Sequence, residues 1–182
     1  MPEPVPVCQR GCRSIDDCDS ESPAADADNF ACDEGVCRYL GCNSAEECTE
    51  THRRPMLCRV SPGSDIRSCV VPCVRPADCA TPSPAFDEDN YECREGACIF
   101  TGCNSDQECA ETFDDNHECL RYPGGNLSIC LQGCNRAADC DLGMPAHDAD
   151  NYRCEEGICI YDGCRNDNEC AETFRDEAFV CR

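Results

Sequence analysis

The apolar positions of this chain fall in short runs around cysteines, and a Glu-Gly pair separates several of these runs. In the first repeat, Phe30-Ala31-Cys32 and Val36-Cys37-Arg38-Tyr39 lie on either side of Glu34-Gly35. Short alternating runs joined in this way are typical of a β-hairpin. The pattern therefore predicts one hairpin per repeat, flanked by aromatic pairs within cross-strand range: Phe30 with Tyr39, Tyr91 with Phe100, and Tyr152 with Tyr161.

A second polar pattern predicts a short helix in each repeat. Ser44 and Glu47 form a Ser-x-x-Glu capping box directly after a Gly-Cys pair. The side chain of the first residue in such a box accepts a hydrogen bond from a free N–H group at the start of the helix. We expect the same start at the two equivalent places in the chain, Ser105 with Glu108 and Asn166 with Glu169.

The cysteines repeat with a period of 61 residues, and 23 of the 24 positions keep this register. The last cysteine is displaced by one residue. The period predicts three eight-cysteine modules, residues 1–61, 62–122 and 123–182, with turns at Pro62-Gly63 and Pro123-Gly124-Gly125 between them. The module cysteines are Cys8, Cys12, Cys18, Cys32, Cys37, Cys42, Cys48 and Cys58; Cys69, Cys73, Cys79, Cys93, Cys98, Cys103, Cys109 and Cys119; and Cys130, Cys134, Cys140, Cys154, Cys159, Cys164, Cys170 and Cys181.

Each module divides into two four-cysteine units that share a Cys-x5-Cys core. The first unit of the chain would run from Cys8 to Cys32, and the second from Cys37 to Cys58. Four cysteines allow three pairings, and spacing alone does not choose among them. We expect the bridges to stay within modules and favour the pairing of first with third and second with fourth cysteine in each unit.

The cysteine content indicates disulfides rather than metal sites. The chain has 24 Cys and no Trp in 182 residues, so its apolar core is thin and disulfides must supply stability. Zinc and iron–sulfur sites favour Cys-x2-Cys pairs, and none occurs. We predict a small disulfide-rich repeat protein with little regular structure, short β-hairpins and one- to two-turn helices, arranged as a rod-like tandem array. Reducing compartments would open such bridges, so we expect an extracellular or cell-surface location.

The charge narrows the choice of partners. The formal net charge is −22, and every one of the 15 basic residues is Arg. Such an acidic chain is a poor ligand for nucleic acid or anionic membranes. No apolar run approaches the 18 or so residues of a membrane span, so we expect no membrane insertion. Residues 1–4 lack the basic start and apolar stretch of a signal peptide, and we therefore expect the sequence to represent an exported, mature form.

The units resemble known extracellular cysteine-rich repeats. Gly102-Cys103-Asn104-Ser105-Asp106-Gln107-Glu108-Cys109 and Cys154-Glu155-Glu156-Gly157-Ile158-Cys159 are similar to the short Cys-rich repeats of secreted myxobacterial-type proteins. More loosely, they resemble extracellular modules of the EB and dickkopf types. The resemblance covers the whole chain through its Cys, Gly and acidic positions. It implies an extracellular setting and no particular activity.

An acidic string recurs in register and is the candidate metal site. Calcium prefers six to eight oxygen ligands, and an Asp-x-Asp-Asn string followed by a Glu offers several. The alternative is an Asx-type turn that leads into the hairpin, and it is the interpretation we favour. Calcium is the only cofactor that we consider, and its candidate ligands are Asp26, Asp28, Asn29 and Glu34; Asp87, Asp89, Asn90 and Glu95; and Asp148, Asp150, Asn151 and Glu156.

We find no candidate catalytic residues. His52, His117 and His147 occupy non-equivalent positions in the repeats, and the even cysteine count leaves no expected free thiol. Nucleophilic catalysis needs a free nucleophile beside a base. The sequence therefore predicts that the protein is not an enzyme.

Two functions remain open. The favoured one is a structural subunit of an extracellular fibre or surface layer, assembled head to tail with copies of itself. The seven residues before Cys8 and the one after Cys181 nearly reproduce the ten-residue linkers, such as Arg59 to Ser68, between modules. The alternative is a secreted binding module, such as an adhesin, a protease inhibitor or a receptor-like ectodomain. The predicted assembly contact would join Val5 and Val7 of one copy to Phe174, Phe179 and Val180 of the next.

Overall fold

Each repeat of the protein folds into the same short series of elements. The computed structural model describes residues 5–60, 65–122 and 125–182, so the predicted turns at Pro62-Gly63 and Pro123-Gly124 lie outside the described residues. The strands and helices are β1 Cys8–Arg10, β2 Phe30–Asp33, β3 Val36–Tyr39, α1 Ala45–His52, β4 Leu57–Val60, β5 Arg67–Val70, β6 Tyr91–Arg94, β7 Ala97–Phe100, α2 Asp106–Thr112, β8 His117–Arg121, β9 Ser128–Gln132, β10 Tyr152–Glu155, β11 Ile158–Tyr161, α3 Asp167–Phe174 and β12 Phe179–Cys181.

The predicted module hairpins are confirmed as β2–β3, β6–β7 and β10–β11. Glu34 and Gly35 form the two-residue turn of the first hairpin with φ of 50° and 81°. Positive φ at both turn residues matches the right-handed twist of the strands. The aromatic pairs also meet across the strands, with ring centroids 5.2 Å apart for Phe30 and Tyr39. The equivalent distances are 5.4 Å for Tyr91–Phe100 and 5.2 Å for Tyr152–Tyr161.

The predicted helix starts are confirmed in all three repeats. Ser44 Oγ accepts a hydrogen bond from Glu47 N–H at the start of α1, and Ser105 does the same for Glu108 in α2. Asn166 replaces the serine in α3 and accepts from the N–H groups of Asn168 and Glu169. A helix start leaves four N–H groups without an intrahelical partner; the Ser44 and Ser105 caps each satisfy one of them, and the Asn166 cap satisfies two.

A second kind of hairpin joins successive modules. Strands β4 and β5 pair across the first predicted module boundary, with Cys58 opposite Cys69, and β8 pairs with β9 across the second boundary. This pairing brings the first cysteine of the next module to the helix of the preceding one. Cys69 bonds to Cys48, and Cys130 bonds to Cys109. The expectation that bridges stay within modules is therefore wrong, because the second strand of each junction hairpin, β5 or β9, carries the first cysteine of the following module.

The chain ends form a third junction of the same kind. Strand β1 pairs with β12, with Cys8 opposite Cys181, and Cys8 bonds to Cys170 across 162 residues of sequence. The N–H of Cys164 donates to Pro6 O at 3.1 Å, and that of Cys42 donates to Arg67 O at 3.2 Å in the first junction. The tandem array is thus closed into a ring of three modules. The predicted rod-like form is wrong, because the two ends of a rod would be too far apart for β1 to pair with β12.

Close backbone approach explains why glycine occurs at each junction. A Cβ on Gly163 would lie 2.5 Å from Pro6 O, and one on Gly41 would lie 2.5 Å from Arg67 O. Both residues also have positive φ, 102° and 110°. Only glycine tolerates this conformation and this contact without strain. The closing junction therefore uses the same backbone geometry as an internal one.

The predicted pairing of first with third and second with fourth cysteine is found when the four-cysteine units are counted from Cys12 instead of Cys8. Counted from Cys12, every four-cysteine unit pairs first with third and second with fourth. In the frame that begins at Cys8, the second-to-fourth bridges Cys12–Cys32 and Cys42–Cys58 are right, and the first-to-third bridges are wrong. All 24 cysteines lie in the described residues and form twelve disulfides. The remaining bridges are Cys18–Cys37, Cys73–Cys93, Cys79–Cys98, Cys103–Cys119, Cys134–Cys154, Cys140–Cys159 and Cys164–Cys181.

Small residues fill the interior. Cysteines are the most frequent buried residues, and one equivalent alanine in each module, Ala24, Ala85 or Ala146, is at or below 5% exposure. The backbone N–H of each alanine donates to a threonine hydroxyl of the following helix at 2.9 Å, as Ala85 does to Thr112. Within the described ranges, no helix is long and apolar enough to span a bilayer.

Removing the closing disulfide tests the ring. The double variant Cys8→Ser, Cys170→Ser should lose about 2–4 kcal/mol of unfolding free energy. It should also lose amide-exchange protection at Val7, Gly11 and Arg182, because no peptide linker holds β1 against β12. Hydrogen exchange measured by NMR provides the readout.

The matched control is Cys48→Ser, Cys69→Ser at the first junction. This variant should keep the protection of β4 and β5, since the chain itself joins them. Equal protection of both junctions in the two variants would contradict a closure that depends on the Cys8–Cys170 bond.

Candidate functional site

The acidic strings form tight turns around a buried asparagine. Asn29 is fully buried, and its Nδ2 donates to Gly41 O at 3.0 Å and to Glu47 Oε2 at 3.3 Å. Its Oδ1 accepts from the N–H of Asp26 at 3.1 Å. A buried amide of this kind must be satisfied or it costs free energy. Asn90 and Asn151 are equally buried and make the equivalent bonds.

The two aspartates of each string support the same turn. Asp26 Oδ1 accepts from the N–H of Asp28, and Asp28 Oδ1 accepts from Asn43 Nδ2 at 2.6 Å. A hydrogen bond with Asp26, followed by partial desolvation, raises the pKa of Asp28 above its ordinary value. Asp89 and Asp150 show the same direction for the same first cause, a hydrogen bond with Asp87 and Asp148 respectively.

The proposed calcium ligands are not all brought together. Glu34 lies in the hairpin turn beyond β2, five residues from Asn29, which is about 16 Å for an extended chain. Glu95 and Glu156 occupy the equivalent turns with φ of 53° and 51°. The acid that joins the string is instead Glu47, through its bond to Asn29. The calcium set stays a prediction, and this geometry favours the Asx-type turn.

Glu47 and its equivalents Glu108 and Glu169 are the polar residues that the candidate list missed. Burial alone would raise the pKa of Glu47, but hydrogen bonds from Asn43, Asn29 and Ser44 lower it below its ordinary value. The capping box had marked Glu47 only as a helix-start residue. Its second role at the buried asparagine arises from a contact between residues 18 apart.

The segments that carry the predicted assembly residues meet at the closing junction of a single chain. Val7 exchanges backbone hydrogen bonds with Arg182 at 2.7 and 3.0 Å, and Gln9 lies opposite Val180. Phe179 lies opposite Arg10 and stacks on Phe174 with ring centroids 4.2 Å apart. Val5 precedes β1 and is about half exposed. The ends of the chain are thus used in the closing junction.

Two open pockets occupy equivalent places at the junctions. The first, of about 430 Å³, lies at the closing junction and is lined by Arg10, Gly11, Cys12, Arg13, Asp17, Gly35 and Ala178; we call it the closure pocket. The second, of about 610 Å³, lies beside β8 and β9; we call it the internal pocket. Its lining residues are Asp115, Asn116, Glu118, Gln132, Gly133, Cys134, Asn135, Asp139, Glu156 and Gly157.

Each pocket is lined by an aspartate that accepts hydrogen bonds from the backbone of a nearby turn, Asp17 in the closure pocket and Asp139 in the internal pocket. Asp17 Oδ2 accepts from the N–H groups of Arg13 at 2.7 Å and Ser14 at 2.9 Å. These two hydrogen bonds, and then the nearby guanidinium groups of Arg13 and Arg10, hold the pKa of Asp17 below its ordinary value. The equivalent residues Asp78 and Asp139 accept the same pair of backbone bonds and also have lowered pKa values.

The chemically active side chains elsewhere are dispersed. The Nδ1 atom of His117 lies 2.9 Å from Asp114 Oδ1, and the imidazole ring stacks on Phe113. His147 packs against Tyr152 and Tyr161 in another module. Close clusters of metal-ligating atoms in the described ranges include five that consist only of cysteines, and all of those cysteines are bonded in disulfides.

These observations define a small disulfide-rich tandem-repeat protein whose modules share one fold. The chain belongs to the family described as a domain of unknown function, DUF7478, whose sequence model matches residues 2–117 and again residues 87–182. The two overlapping matches agree with the tandem arrangement. No curated protein and no solved structure matches the chain. The resemblances to myxobacterial-type repeats and to EB and dickkopf modules stay predictions.

Replacing the buried asparagine tests the role of the acidic string. Asn90→Ala should lower the unfolding free energy by about 2–3 kcal/mol, because it leaves the buried Gly102 carbonyl without its donor. Asn104→Ala, which removes only an exposed bond to Asp89, should change it by less than about 0.5 kcal/mol. Denaturant unfolding with intact disulfides provides the measurement.

The same experiment with calcium or chelator separates the two interpretations of the string. The turn predicts equal stability of the wild-type protein in both conditions. A calcium-dependent gain that Asn90→Ala abolishes would contradict the turn and support the calcium set.

Proposed function

We propose that this protein is a secreted binding module whose disulfide-closed ring presents exposed side chains to a partner. The observation that carries this proposal is the closing junction. Because β1 pairs with β12 of its own chain, the contact that suggested a head-to-tail fibre is occupied. A second copy would have to displace three paired residues and break the Cys8–Cys170 bond.

The extracellular location rests on the disulfides. Twelve bridges involving all 24 cysteines require an oxidising compartment for folding and persistence. Secreted domains with thin cores commonly use such bridges in place of apolar burial. An exported protein of this kind meets its partners outside the cell.

Differences between equivalent exposed positions favour binding over a structural lattice. Arg13, Val74 and Asn135 occupy the same exposed position of the three modules, and Val74 is 94% exposed. The backbone around them is the same, so folding does not dictate these side chains. A lattice that used all sides of the ring would need similar contacts on each side. A binding module needs only one side to fit its partner.

The net charge also favours a single ring in solution. Copies that each carry −22 repel one another at low ionic strength. An added attraction between copies would have to overcome this repulsion. No such requirement applies to a neutral or basic partner.

Sedimentation analysis and a binding assay together test the proposal. Over a wide concentration range at physiological salt, we expect a single species with the mass of one 182-residue chain. The immobilised ring should then retain a partner from extracellular material saturably. The reduced and alkylated chain, with the same sequence and net charge but no ring, should not retain it.

Filaments, or a species whose mass grows with protein concentration, would contradict the proposal and favour the structural subunit. Equal retention of the partner by the ring and by the alkylated chain would also contradict it, since binding would then reflect composition and not the folded surface.

A further inference from the structure

We propose that the closure pocket binds an oxyanion, a carboxylate or a sulfate-type group, through the guanidinium groups of Arg10 and Arg13. This inference rests on the proposed function and names the chemistry of one of its sites. The pocket exists only because the ring closes, since Arg10 belongs to β1 and Ala178 precedes β12. The backbone N–H of Gly11 donates to Ala178 O at 2.6 Å and holds the two walls together.

Both guanidinium groups keep donors that have no partner among the described residues. Arg10 Nη1 donates to Asp19 O at 3.1 Å, while its Nε is buried and has no hydrogen-bond partner in the described part of the chain. Arg13 is exposed, and among the residues that the structure describes it bonds only through its backbone N–H. Among the described residues, neither guanidinium forms an ion pair, in contrast to Arg75 with Asp78 and Arg136 with Asp139.

The acid in the pocket does not cancel this positive charge. Asp17 is the single carboxylate among the seven lining residues, and its Oδ2 is taken by two backbone N–H groups. Two guanidinium groups and one carboxylate leave a formal charge of +1 on the lining. A bound oxyanion would accept hydrogen bonds from the accessible Nη atoms of Arg10 and from the guanidinium of Arg13. An arginine fork can bind two oxygens of one carboxylate or sulfate group at once.

The other two junctions carry different residues at the positions of Arg10 and Arg13. At the positions of Arg10 and Arg13, the internal pocket has Gln132 and Asn135, and the first junction has Val71 and Val74. The lining of the internal pocket carries four carboxylates and no arginine. One backbone frame thus tolerates basic, apolar and acidic linings. The arginines are therefore not needed to close the ring, and their charge runs against the −22 of the whole chain.

NMR titration of the intact protein with sodium sulfate and with sodium acetate at constant ionic strength tests the pocket. We expect saturable shifts at the amides of Gly11, Gly35 and Ala178. Stronger binding of acetate would identify a carboxylate group on the partner, and stronger binding of sulfate would identify a sulfated or phosphorylated group. Chloride replaces each salt in the reference titration, so that general screening is subtracted.

Arg10→Val and Arg13→Val use the residues that the first junction already carries at these positions. Each should weaken binding about tenfold, as expected for the loss of a charged hydrogen bond. The control Arg75→Val removes the same charge outside the pocket and should leave binding within about twofold. Retained amide protection at Gly11 would show that the variants keep the closing junction.

Shifts that do not saturate, or equal weakening by Arg75→Val and by the pocket variants, would overturn the pocket proposal. Such a result with a monomeric, partner-binding ring would leave the proposed function intact. Conversely, anion binding by a protein that assembles into filaments would reject the proposed function and keep the pocket.

Discussion

The pairing of the two chain ends is the contact on which the rest of this structure depends. The module helices each need a strand from the following module to supply a cysteine, as Cys69 does for Cys48. For the third module, β1 supplies that strand with Cys8. Without it, Cys170 would lack its partner and Gly163 its close neighbour Pro6. Closure therefore completes the third module and turns three dependent units into one self-sufficient ring.

Within that ring, covalent bonds and polar contacts take over tasks that apolar burial performs in larger domains. The largest fully buried side chains include Asn29, Asn90 and Asn151, beside cysteines such as Cys48 and Cys170. Each asparagine ties the turn before a hairpin to the start of the following helix through its two Nδ2 hydrogen bonds. The disulfides then restrict the unfolded chain. Because this frame needs few surface side chains, the pockets at equivalent junctions are free to differ in charge.

Local features of the fold could be predicted from the sequence, and the connections between modules could not. The Glu34-Gly35 turn and the Ser44 cap depend on residues within a few positions of each other, so short patterns specify them. The assignment of Cys8 depends on a partner 162 residues away. No short sequence pattern shows whether such a distant pair forms within one chain or between two chains. Glu47 was missed at the buried asparagine for the same reason, since its contact is not local.

Isotope-resolved disulfide mapping tests the closure most directly. Equal amounts of ¹⁵N-labelled and unlabelled reduced chain would be folded oxidatively together, digested without reduction and analysed by mass spectrometry. The ring predicts a linked peptide pair containing Cys8 and Cys170, with both halves carrying the same isotope. Pairs of mixed isotope would place this bond between chains, and a Cys8–Cys18 pair would return Cys8 to the first module; either result would contradict the closed ring.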